Sequence, residues 1–274
     1  MSILHKDEHT TMNNELKTGT ALITGASSGL GEAFARRLAA DHYDLILIAR
    51  REELLRALAK ELYKKFAVRV EVWPADLSAD EGIAGVAERI ALRNDLTMLI
   101  NNAGFGHGGS YYKIEAKPQM DMIHVHVVAT ARLTRAVLPQ MVERNQGAII
   151  NVASVAAFSV VGRSAMYGST KTWIVAFSRA IGEELRSLHV KIQALCPGFT
   201  ITGFHDTLEF KKFDRSRIPK FLWTTSDKVV AAALKALKRK KVVFIPGFLN
   251  KVMATIPRMP LGQSLARLYT LRKV

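Results

Sequence analysis

Cysteine occurs once in these 274 residues, at Cys196, which excludes an internal disulfide and fits a reducing compartment. Long apolar runs are missing as well. Although 49% of the residues are apolar, no run reaches eighteen, so no membrane-spanning helix is expected. Residues 1–17 are polar and lack an apolar h-region, so they read as a flexible leader and not as a secretory signal. Acids are scarce: 24 Asp and Glu face 39 Lys and Arg, and none follows Asp227. Residues 228–274 carry eleven Lys or Arg, so the tail supplies most of the net charge of +15. No nucleic-acid motif accompanies those charges, and a solvated basic face accounts for them, so nucleic acid is not an expected partner. No metal site is expected either.

Short apolar runs alternate with helical periodicity through the first half. Thr20–Ile23 leads into Thr24-Gly25-Ala26-Ser27-Ser28-Gly29-Leu30-Gly31, and Leu30, Phe34 and Leu38 then recur at helical spacing to about Ala40. A glycine loop between a strand and a helix lets backbone approach a pyrophosphate, whose charge the helix N-terminus favours. Leu45–Ala49 is a second buried strand, followed by Arg50 and Arg51 and a helix over 52–65. An acid at this place would meet the ribose hydroxyls of NAD(H); two guanidiniums suit a 2′-phosphate, so NADP(H) is favoured over NAD(H). Val68, Val70 and Val72 mark a third strand before Asp76-Leu77, and Leu96–Ile100 a fourth before Asn101-Asn102-Ala103-Gly104. Strand–helix alternation implies a doubly wound parallel sheet of Rossmann type in three layers (αβα), with ligands at the strands' carboxyl ends.

The chemistry is read from Tyr167-Gly168-Ser169-Thr170-Lys171. On a helix, Tyr167 and Lys171 lie one turn apart on one face, and an ammonium there is expected to lower the phenol's pKa. Such a tyrosine can protonate a carbonyl oxygen or deprotonate an alcohol. Ser154 follows the buried strand Ala148–Ala153, where its hydroxyl can bond the same oxygen.

Taken together, Thr24 to Gly31, Asp76-Leu77, Asn101 to Gly104, Ser154 with Tyr167 and Lys171, and Pro197-Gly198 with Thr202 resemble the short-chain dehydrogenase/reductase family over about 19–203. The resemblance implies an oxidoreductase with Tyr167 as acid/base and Ser154 orienting the substrate oxygen. It implies cofactor contacts from Gly25, Ser27, Ser28, Gly29, Leu30 and Gly31, and from Arg50 and Arg51. Asp76 and Leu77 would meet the adenine, Asn102, Ala103 and Gly104 would line the cofactor, and Asn101 would steady the sheet. Tyr167 and Lys171 would reach the nicotinamide ribose, with Pro197, Gly198 and Thr202 at the carboxamide end. The sequence departs from the family at Val125-His126-Val127-Val128-Ala129, where an asparagine commonly stands in place of His126 and supports a water that passes protons to the lysine. Imidazole can donate and accept too, so His126 is either a catalytic relay or a packed helix residue. His124, on another face of the same helix, reads as structural. A non-catalytic dinucleotide-binding sensor or scaffold of the same fold is the competing function.

Long helices over 117–144 and 164–188 would, by the same resemblance, pair with a partner subunit in a homodimer or homotetramer. The segment over about 199–223 holds Phe199, Phe204, Phe210, Phe213, Phe221 and Trp223, and with Phe105 and Phe158 suggests an apolar substrate. A helix from Ser226 to about Lys238 and a strand over 242–245 complete the domain, 18–247. Residues 248–274 then form an amphipathic basic extension. Phe248, Leu249, Val252, Met253 and Ile256 share one helical face, and Leu261, Leu265, Leu268 and Tyr269 another. This extension can be a pocket flap, a subunit contact or a weak membrane-surface contact. The expected place of the protein is the cytoplasm, peripheral to a membrane if the last reading holds.

Overall fold

The structure is a computed structural model that describes residues 19–159, 162–202, 218–239 and 241–255. Its main strands are β1 (Thr20–Thr24), β2 (Asp44–Ala49), β3 (Val70–Pro74), β4 (Leu96–Asn101), β5 (Gly147–Val152) and β6 (Val190–Leu195). Two short strands, β7 (Thr200–Ile201) and β8 (Thr224–Thr225), pair with each other, and β9 (Val243–Phe244) closes the main sheet. The helices are α1 (Gly29–Ala40), α2 (Glu52–Phe66), α3 (Asp80–Ala91), α4 (Ala116–Ile123), α5 (Ala129–Glu143), α6 (Ala165–Glu184), α7 (Ser226–Leu237) and α8 (Phe248–Thr255).

Seven strands pair in parallel in the order β3-β2-β1-β4-β5-β6-β9. The expected Rossmann-type sheet is therefore present. Strands covered by helices on both faces must be apolar at every position, and β1, β2 and β5 are buried almost throughout. Side chains alternate between the two faces. Ile23 and Leu45 pack with Phe34 of α1, Leu55 of α2 and Val230 of α7. Leu22 and Ile46 face the other way, onto Ile83 of α3 and Leu133 of α5. Strand order reverses between β1 and β4, and the crevice at their carboxyl ends is where a doubly wound sheet binds ligands.

One expectation changes. The helix expected over 117–144 is interrupted by a π-helical turn, His124–Val128, which joins α4 to α5. Phe158 is buried with Ala157 and with Ile174 and Val175 of α6. The β7–β8 pair went unread because two-residue strands have no periodicity. In the extension, α8 docks through Asn250 and Ala254, while Phe248, Leu249 and Val252 of its apolar stripe are exposed. Ala254 enters the buried cluster that holds Ala153, Ala157, Phe158 and Ile174. The leader, Phe204, Phe210 and Phe213, and the second apolar stripe of the extension lie outside the described residues. Among the described residues, no helix is long and apolar enough to cross a membrane.

Candidate active site

The glycine loop is shaped by close approach. Gly25 has φ +66°, and a Cβ there would stand 2.9 Å from both the Ala103 Cα and the Asn102 side-chain amide. Only glycine fits that contact without strain. Thr24, at the end of β1, holds the loop against β4: its hydroxyl accepts the Asn102 and Ala103 N–H groups, each at 2.9 Å. Asn102 donates back to the Thr24 carbonyl at 2.9 Å and the Gly25 carbonyl at 3.2 Å. Ser28 precedes α1 without capping it by its side chain, which leaves the first N–H groups of α1 directed at the crevice. Such a cradle fits a pyrophosphate at a helix N-terminus. Thr202 reaches the same loop, since a Cβ at Gly29 would meet its Cβ at 3.2 Å.

The two arginines part company. Arg51 reaches back to Ser27 and Ser28, donating at 3.0 and 3.2 Å to their hydroxyls. Arg50 instead acts on Asp76. Burial opposes charge on Asp76, but the Ser78 N–H and hydroxyl, with Arg50 and Lys117, hold its carboxyl below the usual range. Leu77 turns its side chain into the core beside Ile83 and Val86, so only its backbone faces the crevice.

Deeper in the crevice, Asn101 of β4 donates to Thr134 at 3.1 Å and to Asn151 at 2.9 Å, and Asn151 donates to Ser178 at 3.0 Å. This buried chain of amides and hydroxyls ties β4 and β5 to α5 and α6, the helix that carries Tyr167 and Lys171. Ser154, just past β5, accepts the Ala156 N–H at 3.1 Å and faces the Tyr167 hydroxyl, whose pKa it lowers. Lys171 is 4% exposed; its ammonium donates to the Val152 carbonyl at 2.9 Å and lies 5.7 Å from the centre of the Tyr167 ring. The three side chains therefore meet, as their spacing suggested. Pro197 accepts the Val155 N–H at 3.0 Å, and Asn250 of α8 presses on Gly198, so β6's loop is held against Ser154.

The expected electrostatics do not hold. Burial raises the Tyr167 pKa, and the Ser154 hydroxyl only partly offsets it. Burial also lowers Lys171 to about 7, against a smaller raising influence from Cys196. A lysine partly neutral at pH 7 cannot act as the full ammonium that the spacing argument assumed. His126 is held well below its ordinary pKa by burial and by Lys171. Thr170, Thr24 and Asn250 were missed: a hydroxyl or amide reveals its role only through partners far along the chain.

The short chain dehydrogenase family matches residues 19–212. The chain belongs to that family. A very-long-chain 3-oxoacyl-CoA reductase from Homo sapiens is 27% identical over 252 residues, 86% of this chain and 75% of that one. Another Homo sapiens relative, named inactive hydroxysteroid dehydrogenase-like protein 1, is 30% identical over 185 residues, 67% of this chain and 56% of that one. A short-chain dehydrogenase from Sphingobium yanoikuyae, solved in complex with NADPH, has a TM-score of 0.78 at 34% identity, covering 84% of this chain and 88% of that one. This family member is an oxidoreductase using a nicotinamide dinucleotide.

Proposed function

We propose that this short-chain dehydrogenase interconverts a ketone or aldehyde and an alcohol on an apolar substrate, with NADP(H) as cofactor and Tyr167 as the acid/base. The convergence of Ser154 on the Tyr167 hydroxyl, with the buried Lys171 nitrogen 5.7 Å from the centre of the same ring, carries this reading. The cofactor supplies or accepts the hydride. Tyr167, with its raised pKa, holds its proton at neutral pH and gives it to the carbonyl oxygen as charge develops there. Ser154 orients that oxygen, and Lys171 holds the ribose and, in its protonated form, supplies a proton back to the phenolate. The non-catalytic alternative suits a relative named as inactive, but it leaves this assembled trio without a purpose. The names of the reductase relatives make 3-oxoacyl thioesters the first substrates to test. Loss of NADPH absorbance with them, exceeding that with small ketones, supports the reading; no oxidation with any carbonyl compound rejects it.

Arg51, with the Ser27 and Ser28 hydroxyls, forms the site we assign to the 2′-phosphate. A hydrogen bond to a charged group is worth about 1.5–3 kcal/mol, so Arg51→Ala is expected to weaken NADPH binding roughly ten- to a hundredfold. Arg50→Ala is expected to cost less, because Arg50 serves Asp76. NADH binding changes little in either variant. Equal losses for both cofactors in fluorescence titrations would refute the assignment.

We also read 18–247 as the catalytic domain and 248–274 as its extension, with α8 part of the body because Asn250 braces Gly198. We further propose a homodimer or homotetramer that pairs through the helices over 117–144 and 164–188; a groove of about 650 Å³ lined by Ala131, Ala136 and Pro139 of α5 supports a contact there.

A further inference from the structure

His126 stands in the π-helical turn, 1% exposed, with both ring nitrogens engaged. Its Nε2 lies 3.3 Å from the Phe105 N–H, and a backbone amide only donates, so Nε2 is the acceptor. In the neutral ring the proton is then on Nδ1, which donates to the Thr170 hydroxyl at 2.9 Å. The Thr170 hydroxyl in turn donates to the Tyr167 backbone carbonyl at 3.1 Å. One imidazole therefore joins the loop after β4, the π-helical turn and the first turns of α6. The ring also meets Tyr167 edge-on, with centroids 5.9 Å apart. Space around it is tight: a Cβ at Gly104 would stand 2.8 Å from His126 Nε2 and 3.4 Å from the Lys171 ammonium.

We propose that His126 is a positioning residue whose neutral imidazole clamps the Phe105 amide to the helix of Tyr167 and Lys171 through Thr170, and that protonating the ring at acid pH releases the clamp. Both nitrogens are consumed by the clamp, so the side chain has no free site from which to relay a proton. The inference rests on the proposed roles of Tyr167 and Lys171. The asparagine common at this place in the resembling family also offers a donor and an acceptor, but an amide does not titrate. An imidazolium has two donors and no acceptor, so the Phe105 amide would lose its partner.

The titratable groups facing the ring are Lys171 and Tyr167, both from α6; the loop after β4 brings the Phe105 amide and ring and Gly104. Burial first, and then Lys171, hold the ring neutral. The unfolded ring titrates near its ordinary pKa of about 6.5. Its contribution to stability is therefore complete above that pH and is lost as pH falls below it.

Thermal unfolding of the cofactor-free protein between pH 5 and pH 8 tests the clamp without any substrate, and so separates it from the proposed reaction. His126→Asn is expected to keep the neutral-pH Tm within a few degrees and to flatten the decline between pH 7 and pH 5. Thr170→Val, which cuts the clamp but leaves the ring, is expected to lower kcat at least tenfold with cofactor affinity unchanged within about twofold, reflecting a misplaced Tyr167. His126→Asn declining in parallel with the native protein on the acid side would overturn the proposal. So would a Thr170→Val variant with native kcat.

Discussion

Tyr167→Phe is expected to lower turnover by about 10²–10⁴-fold, the usual contribution of a positioned general acid, while NADPH affinity stays within about twofold. The phenyl ring keeps the packing against His126 and loses only the hydroxyl that meets Ser154. The pH dependence has a definite sign. Burial raises the Tyr167 pKa, so the phenol is protonated through neutral pH. Carbonyl reduction should therefore be flat through neutrality and fall only as the phenol ionises at alkaline pH. Alcohol oxidation needs the phenolate and should rise with pH over the same range. Steady-state rates in both directions, followed by NADPH absorbance, check this. Near-native turnover in the phenylalanine variant would end the mechanism.

Lys171→Met should separate stability from activity. Folding moves the lysine's pKa from 10.5 to about 7, chiefly by burial. Between those values the unfolded chain binds more protons, so this group's contribution makes stability rise with pH. Its penalty is largest below pH 7 and fades towards pH 10.5. The shift amounts to a few kcal/mol, at about 1.4 kcal/mol per pH unit, from which the lost bond to the Val152 carbonyl subtracts about 1 kcal/mol. A methionine keeps the length and drops the charge. The cofactor-free variant should melt about 8–16 °C higher at pH 6, given roughly 2–4 °C per kcal/mol for a chain of this size. The gain should vanish near pH 10. Turnover should drop by orders of magnitude and NADPH binding should weaken, because the ribose contact is gone. A variant melting below the native protein at pH 6 would show that burial of Lys171 carries no such penalty.

Both predictions depend on values that no spacing rule supplies. Tyr-x-x-x-Lys placed the two side chains on one helical face, and that held. The sign of the phenol's shift did not. Sequence supplies the partner's charge but not the burial that acts on both groups, and here burial outweighs attraction. The arginines tell the same story at smaller scale. That a guanidinium follows β2 was legible; that Arg51 is the one bonded to Ser27 and Ser28, while Arg50 acts on Asp76 only through its charge, depends on where α1 and α2 lie.

The strand–helix alternation, the glycine loop and the Ser154, Tyr167 and Lys171 trio follow from the sequence alone, because each rests on periodicity or on neighbours within one turn or loop. Alternating Leu22 and Ile23 face opposite layers in any parallel sheet. Tertiary structure alone decided the rest. The π-helical turn at His124–Val128 lets His126 join Phe105 to Thr170, a bond across 44 residues that no local pattern encodes. The docking face of α8 is a tertiary result: Ala254 enters the cluster with Ala157, Phe158 and Ile174, while Phe248, Leu249 and Val252 face outward. Hydrophobic pattern states which residues can be buried; the volume left by the other elements selects which of them are.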